Sequence, residues 1–81
     1  MTVNILLFAE AKLAIGVPSL ELTLPNGASV GQLRGAIAAQ FPALSALLAR
    51  SAFAVNQRFA DDTTILCEHD EIAWVPPVSG G

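Results

Sequence analysis

The residues that could do chemistry are few, and they gather at the end of the chain. Pro76-Pro77-Val78-Ser79-Gly80-Gly81 combines a stiff root with a bare tip. The two prolines lack N–H groups and fix φ, which favours extended, unpaired backbone. The two glycines carry no Cβ, so the tip fits a slot too narrow for any other residue and presents its carboxylate without flanking bulk. At ~3.3–3.6 Å per extended residue, six residues reach roughly 20 Å, enough to place Gly81 deep inside another protein. The plain alternative is a frayed terminus or a cloning scar. Against it stands the run Ile72-Ala73-Trp74-Val75, which feeds into Pro-Pro with no polar spacer, so the tail is launched from the folded body.

The rest of the chain is poor in reactive groups. It holds one His, one Cys and no Tyr, and no HExxH, CxxC or phosphate-cradling glycine loop. Glu68, His69 and Asp70 are adjacent in sequence and point different ways, so a metal site there is disfavoured. A histidine taking positive φ in a turn is the simpler account. Cys67 has no partner for an internal disulfide or a cysteine metal site, fits a reducing cytoplasm, and reads as a small buried hydrophobe rather than a redox or persulfide group. Whatever reaction this chain joins, most of the active site belongs to another protein, and no metal or bound cofactor is expected.

Length and composition bound the reading further. Eighty-one residues make one domain with a modest core that hides somewhat over ~60% of the unfolded surface. The hydrophobic share of 53% and mean hydropathy of +0.57 leave apolar surface over for a partner. The longest uncharged stretch, 35–49, contains Gln40, Pro42 and Ser45 and is too short and broken for a membrane span. No basic region precedes the first apolar run, so no signal peptide is expected. Net charge is −3, and Lys12, Arg34, Arg50 and Arg58 are scattered, which disfavours nucleic acid. Five of the seven acids lie between Asp61 and Glu71, a stretch expected to be a solvated loop region.

The elements that must position the tail follow from periodicity. Val3, Ile5 and Leu7 alternate along a strand whose other face is also largely apolar, the mark of a central strand. Phe8 falls on the second face, either under a loop or offered to a partner. A helical turn over 9–15 ends at Gly16 and Pro18. Leu20, Leu22 and Leu24 alternate with Ser19, Glu21 and Thr23 in a half-wet strand, closed by the Pro25-Asn26-Gly27 turn. Ser29 and Gln32 form a capping-box signature, and Val30, Leu33, Ile37 and Phe41 make one stripe. Pro42 starts a second helical segment to Ala49. Strands over 53–56 and 71–75 follow, with brief pairing over 64–67, turn chemistry at Asp61-Asp62-Thr63 and another turn at Glu68-His69-Asp70. The order strand, strand, helix, strand, strand predicts an α+β fold, a mixed sheet with a helix packed across one face.

The ending PPVSGG, together with Asp70-Glu71-Ile72-Ala73, Val55-Asn56, Leu7-Phe8-Ala9 and the helix from Ser29 to Phe41 before Pro42, resembles the small-subunit family of molybdopterin synthase. The resemblance spans essentially the whole chain and rests most on the tail. It implies a ubiquitin-like β-grasp over 1–75 with a protruding tail over 76–81, and first and last strands running parallel at the centre. Function is implied with it: a sulfur carrier for molybdenum-cofactor synthesis. A ubiquitin-activating-type enzyme would use ATP to adenylate the Gly81 carboxylate, a persulfide donor would convert it to a thiocarboxylate, and the large synthase subunit would pass the sulfur to a cyclic pyranopterin phosphate. By position, Phe8, Phe59 and Val75 match the family's apolar contact surface, and Pro76, Pro77, Val78, Ser79, Gly80 and Gly81 its inserted tail. Val75 is smaller than the aromatic often found there, and Glu68-His69 replaces the more usual Asp-Gly.

Three other readings remain beside it. The same thiocarboxylate could feed thiazole formation for thiamine or another sulfur metabolite. The Gly81 carboxylate could be joined to a lysine, as in a ubiquitin-like modifier. A non-covalent adaptor would use the apolar sheet face alone and keep its function without Gly80-Gly81.

Overall fold

The computed structural model describes residues 1–77; Val78, Ser79, Gly80 and Gly81 lie outside the described residues. Five strands form one mixed sheet: β1 (Thr2–Leu7), β2 (Ser19–Thr23), β3 (Ala52–Val55), β4 (Arg58–Ala60) and β5 (Glu71–Val75), in the order β2-β1-β5-β3-β4. β1 and β5 are parallel neighbours near the middle, and the other pairings are antiparallel. Helix α1 (Ala9–Ile15) follows β1, and α2 (Val30–Gln40) crosses between β2 and β3. The expected second segment after Pro42 is a 3₁₀ turn, Pro42–Leu44, running into α3 (Ser45–Arg50).

Alternation decides which face is buried. Val3, Ile5 and Leu7 of β1, Phe53 of β3, and Ile72 and Trp74 of β5 point to the same side. They meet Val30, Leu33 and Ile37 of α2 and Leu47 and Leu48 of α3 in one core. The Phe53 and Trp74 rings stack there with centroids 6.2 Å apart. Ser29 caps α2 as its sequence predicts: its side chain accepts the Gln32 N–H, and the Gln32 side chain accepts the Ser29 N–H.

Glycine at position 31 has a specific cause. The first α2 amides need partners outside the helix, and Val30 and Gly31 donate to the carbonyls of Thr64 and Asp62. That approach is so close that a Cβ on Gly31 would sit 3.2 Å from the Asp62 carbonyl oxygen, whereas one on Gly35 would meet nothing within 4 Å. Alanine at either site gains roughly 1 kcal/mol of helix propensity, but at 31 crowding costs about 1–3 kcal/mol. Gly35→Ala is therefore expected to raise the denaturation midpoint and Gly31→Ala to lower it, by about 1 kcal/mol each. Urea unfolding of both variants tests the contrast, and equal shifts would show that the 62–64 loop yields.

The acidic stretch is more than a solvated loop. Arg34, on α2, forms an ion pair with Asp62 at 3.0 Å, donates to the carbonyls of Leu48 and Ser51, and lies 5.0 Å over the Phe53 ring. The Asp61 carboxylate accepts the Thr63 hydroxyl and N–H and the Thr64 hydroxyl. Its pKa is held below the usual aspartate value, chiefly by the Thr63 hydroxyl and then by the Thr63 N–H. The stabilisation these bonds give is present above the ordinary aspartate pKa and is lost as pH falls through the depressed one.

Three expectations need correction. The strand expected over 53–56 is not the end of the pairing there: the chain turns, and Arg58–Ala60 pairs back on β3 as its second antiparallel partner, beside β5. Asn56 and Gln57, at φ +53° and +69°, supply that tight hairpin. Cys67 is exposed rather than buried. Leu66 takes the core position beside it, its N–H bonded to the Ala28 carbonyl, while the Cys67 N–H donates to Asp70. The brief pairing expected over 64–67 reduces to one bridge, Ile65 to Ser29.

Candidate functional site

The site is built on the sheet face opposite the helices. Register puts Leu6, Ala73, Ala54 and Phe59 side by side across β1, β5, β3 and β4. The two alanines make a shallow floor between larger side chains. Val75 lies one step nearer the end of β5, beside Ala52, and the Leu7↔Trp74 pairing carries Phe8 up next to Val75. Phe8 is 50% and Phe59 76% exposed. The two alternatives for Phe8 thus resolve toward an open surface, and Phe8, Val75 and Phe59 share one apolar face.

This face lies where the tail begins. Because β1 and β5 are parallel, the start of α1 and the end of β5 fall at the same end of the sheet. Leu13 of α1 and Val17 after it are exposed near that end too, so the surplus hydrophobicity of the composition does sit outside. No local pattern marks Leu6, Ala54 and Ala73 as part of the face, since only the non-local register aligns them. Pro76 is buried and Pro77 half-buried. The remaining predicted tail residues, Val78, Ser79, Gly80 and Gly81, lie outside the described residues.

The loop below the face is a fastener rather than a centre of chemistry. His69 adopts φ +73°, as its place in the turn predicts. The Asp70 carboxylate accepts from the Asn56 side-chain amide at 2.9 Å and the Cys67 N–H at 2.7 Å. Asn56 in turn accepts the Glu71 N–H. These bonds lock the β3–β4 turn to the start of β5. No group of metal-ligating side chains occurs among the described residues. Nor is any helix among them long and apolar enough to cross a membrane.

Parallel central first and last strands, one long helix across the sheet, and a C-terminal strand that ends beside an open apolar face define a ubiquitin-like β-grasp protein. The fold is that of SAMP1 from Haloferax volcanii, with a TM-score of 0.85 and 26% identity over the whole of both chains. The chain belongs to the ThiS family, whose sequence model matches residues 5–81. It is 34% identical over 79 residues to the molybdopterin synthase sulfur carrier subunit of Arabidopsis thaliana, covering 98% of this chain and 82% of that one. It is also similar, at 28% identity and a TM-score of 0.70 over the whole of both chains, to a chain in the protein–protein complex of subunits 1 and 2 of molybdopterin-converting factor from Helicobacter pylori.

Proposed function

We propose that this chain is the sulfur carrier subunit of a molybdopterin synthase, the role named for its Arabidopsis relative. The observation that carries the reading is the parallel β1–β5 register, which sets the root of a Gly-Gly tail beside the apolar face of Phe8, Val75 and Phe59. A carboxylate is a poor electrophile. A ubiquitin-activating-type partner in the cytoplasm therefore spends ATP to convert the Gly81 carboxylate to an acyl-adenylate, releasing pyrophosphate. The terminal sulfur of a persulfide displaces AMP to give an acyl disulfide, and a thiol of the sulfur donor then cleaves its S–S bond, forming a disulfide and leaving the thiocarboxylate. Gly80 and Gly81 then enter the large subunit, which docks on the apolar face, contacts Val78 and Ser79, and passes the sulfur to a cyclic pyranopterin phosphate. Hydrolysis returns the carboxylate for the next cycle. The carrier holds no cofactor of its own and pairs with a large subunit, in keeping with the subunit 1 and 2 complex of the Helicobacter relative; two such pairs make the assembly a dimer of heterodimers.

The intact mass of the chain tests this after incubation with ATP, the activating enzyme and a persulfide donor. The expected gain is one oxygen exchanged for sulfur, absent when Gly81 is deleted. No gain, with the activating enzyme shown to load another carrier, would overturn the reading. A protein-modifier role is favoured by one specific observation, the similarity at 26% identity to SAMP1, a small archaeal modifier protein. Isopeptide-linked targets in a cell extract would establish it.

A further inference from the structure

The last strand keeps facing the core after its pairing stops. Ile72 and Trp74 point inward and are fully buried, and Pro76, the next residue of the same parity, is buried too. Both flanks of Pro76 are places where the chain leaves the sheet. Extending the parallel register past Leu7↔Trp74 sets Ala9 on one side, and extending the antiparallel register past Ala52↔Val75 sets Ser51 on the other. Ala9, at φ +49°, turns away into α1. Ser51, itself buried, ends α3 with its hydroxyl on the Leu47 carbonyl. An N–H at position 76 would have no ladder partner, so proline loses nothing there. Its ring occupies the core-facing position between two helix junctions, and its fixed φ sets the direction in which the chain leaves.

We propose that Pro76 is a positioning residue, an anchor inside the fold that aims the tail, rather than a side chain that the partner contacts. The inference rests on the carrier reading above. Only the five residues after Pro76 are then left to insert, a reach of about 17 Å. Fixing the root in the folded protein removes an ordering cost from docking. It also holds the reacting carboxyl in register, where a misplacement of ~1 Å can cost about 100-fold in rate.

The test is single-turnover sulfur transfer from the thiocarboxylated full chain, measured against increasing large subunit. Pro76→Gly removes the ring and the fixed φ, whereas Pro76→Val keeps an apolar side chain with restricted backbone. Pro76→Gly is expected to lower the saturating rate roughly 10- to 100-fold while the half-saturating concentration moves less than about threefold. Pro76→Val is expected to recover the rate to within about threefold of wild type. Assays are run well below each variant's melting temperature, and Pro76→Ala replaces the glycine variant should that fail to fold. A raised half-saturating concentration with an unchanged plateau would make Pro76 a partner contact and overturn the proposal. Unchanged kinetics, or a valine variant as slow as the glycine one, would overturn it also. In each of these cases wild-type transfer leaves the carrier reading standing. A wild-type chain that transfers no sulfur overturns that reading and the inference with it.

Discussion

Adding one residue after Gly81, or replacing Gly80 with alanine, is expected to lower sulfur transfer at least about 100-fold and to leave the melting temperature unchanged. The two changes fail for different reasons. An added residue turns the Gly81 carboxyl into an amide and moves the reactive acid one residue, ~3.5 Å, further along the tail. With Pro76 buried in the body, the root cannot slide back to compensate. Alanine at 80 leaves the carboxylate in place but adds a Cβ where the partner's channel is expected to admit only backbone. Neither change touches the core, which closes around Trp74, Phe53, Ile5, Leu33 and Ile37. Intact mass reports loading and single-turnover assay reports transfer, so the failing step is visible for each variant. Normal transfer by either one would mean that no narrow slot exists.

The parts of the fold legible in the sequence are those set by neighbours in the chain. The β1 alternation, the Ser29–Gln32 capping box and the Val30, Leu33, Ile37 stripe are local patterns, and each appears where its period places it. The strand Arg58–Ala60 was hidden because three residues carry no period and its turn, Asn56-Gln57, lacks the glycine that usually marks paired left-handed residues. The role of the acids was hidden for another reason. Asp62 serves Arg34 across 28 residues of chain, a distance at which charge pattern carries no information. The same holds for the apolar face. Resemblance to a family singles out Phe8 and Phe59, and both are exposed, but the row Leu6, Ala73, Ala54, Phe59 exists only once four strands are in register. Pro76 shows the converse: its type points outward to a tail, and the parity it continues from β5 turns it inward.

Phe8 allows binding and folding to be separated, because one substitution moves them in opposite directions. Phe8 precedes α1 at the N-cap with extended backbone, φ −132° and ψ 155°, and its side chain makes no capping bond. Serine is suited to that conformation and can accept an amide hydrogen bond from the first turn, a gain of about 0.5–2 kcal/mol relative to a non-capping residue. The lost burial of a half-exposed ring offsets part of this gain, so Phe8→Ser is expected to leave the melting temperature unchanged or slightly raised. Docking has no such compensation. Truncating an aromatic anchor at the centre of an interface costs roughly 2 kcal/mol or more, a Kd for the large subunit weakened about 30-fold. Phe53→Ala provides the contrast, since that ring is fully buried against Trp74; its removal should cost about 3–5 kcal/mol of stability. Calorimetric titration and thermal melting of the two variants decide the matter. A Phe8→Ser chain that melts early yet binds normally would place Phe8 with the core, and the docking face would then have to be sought around Phe59 alone.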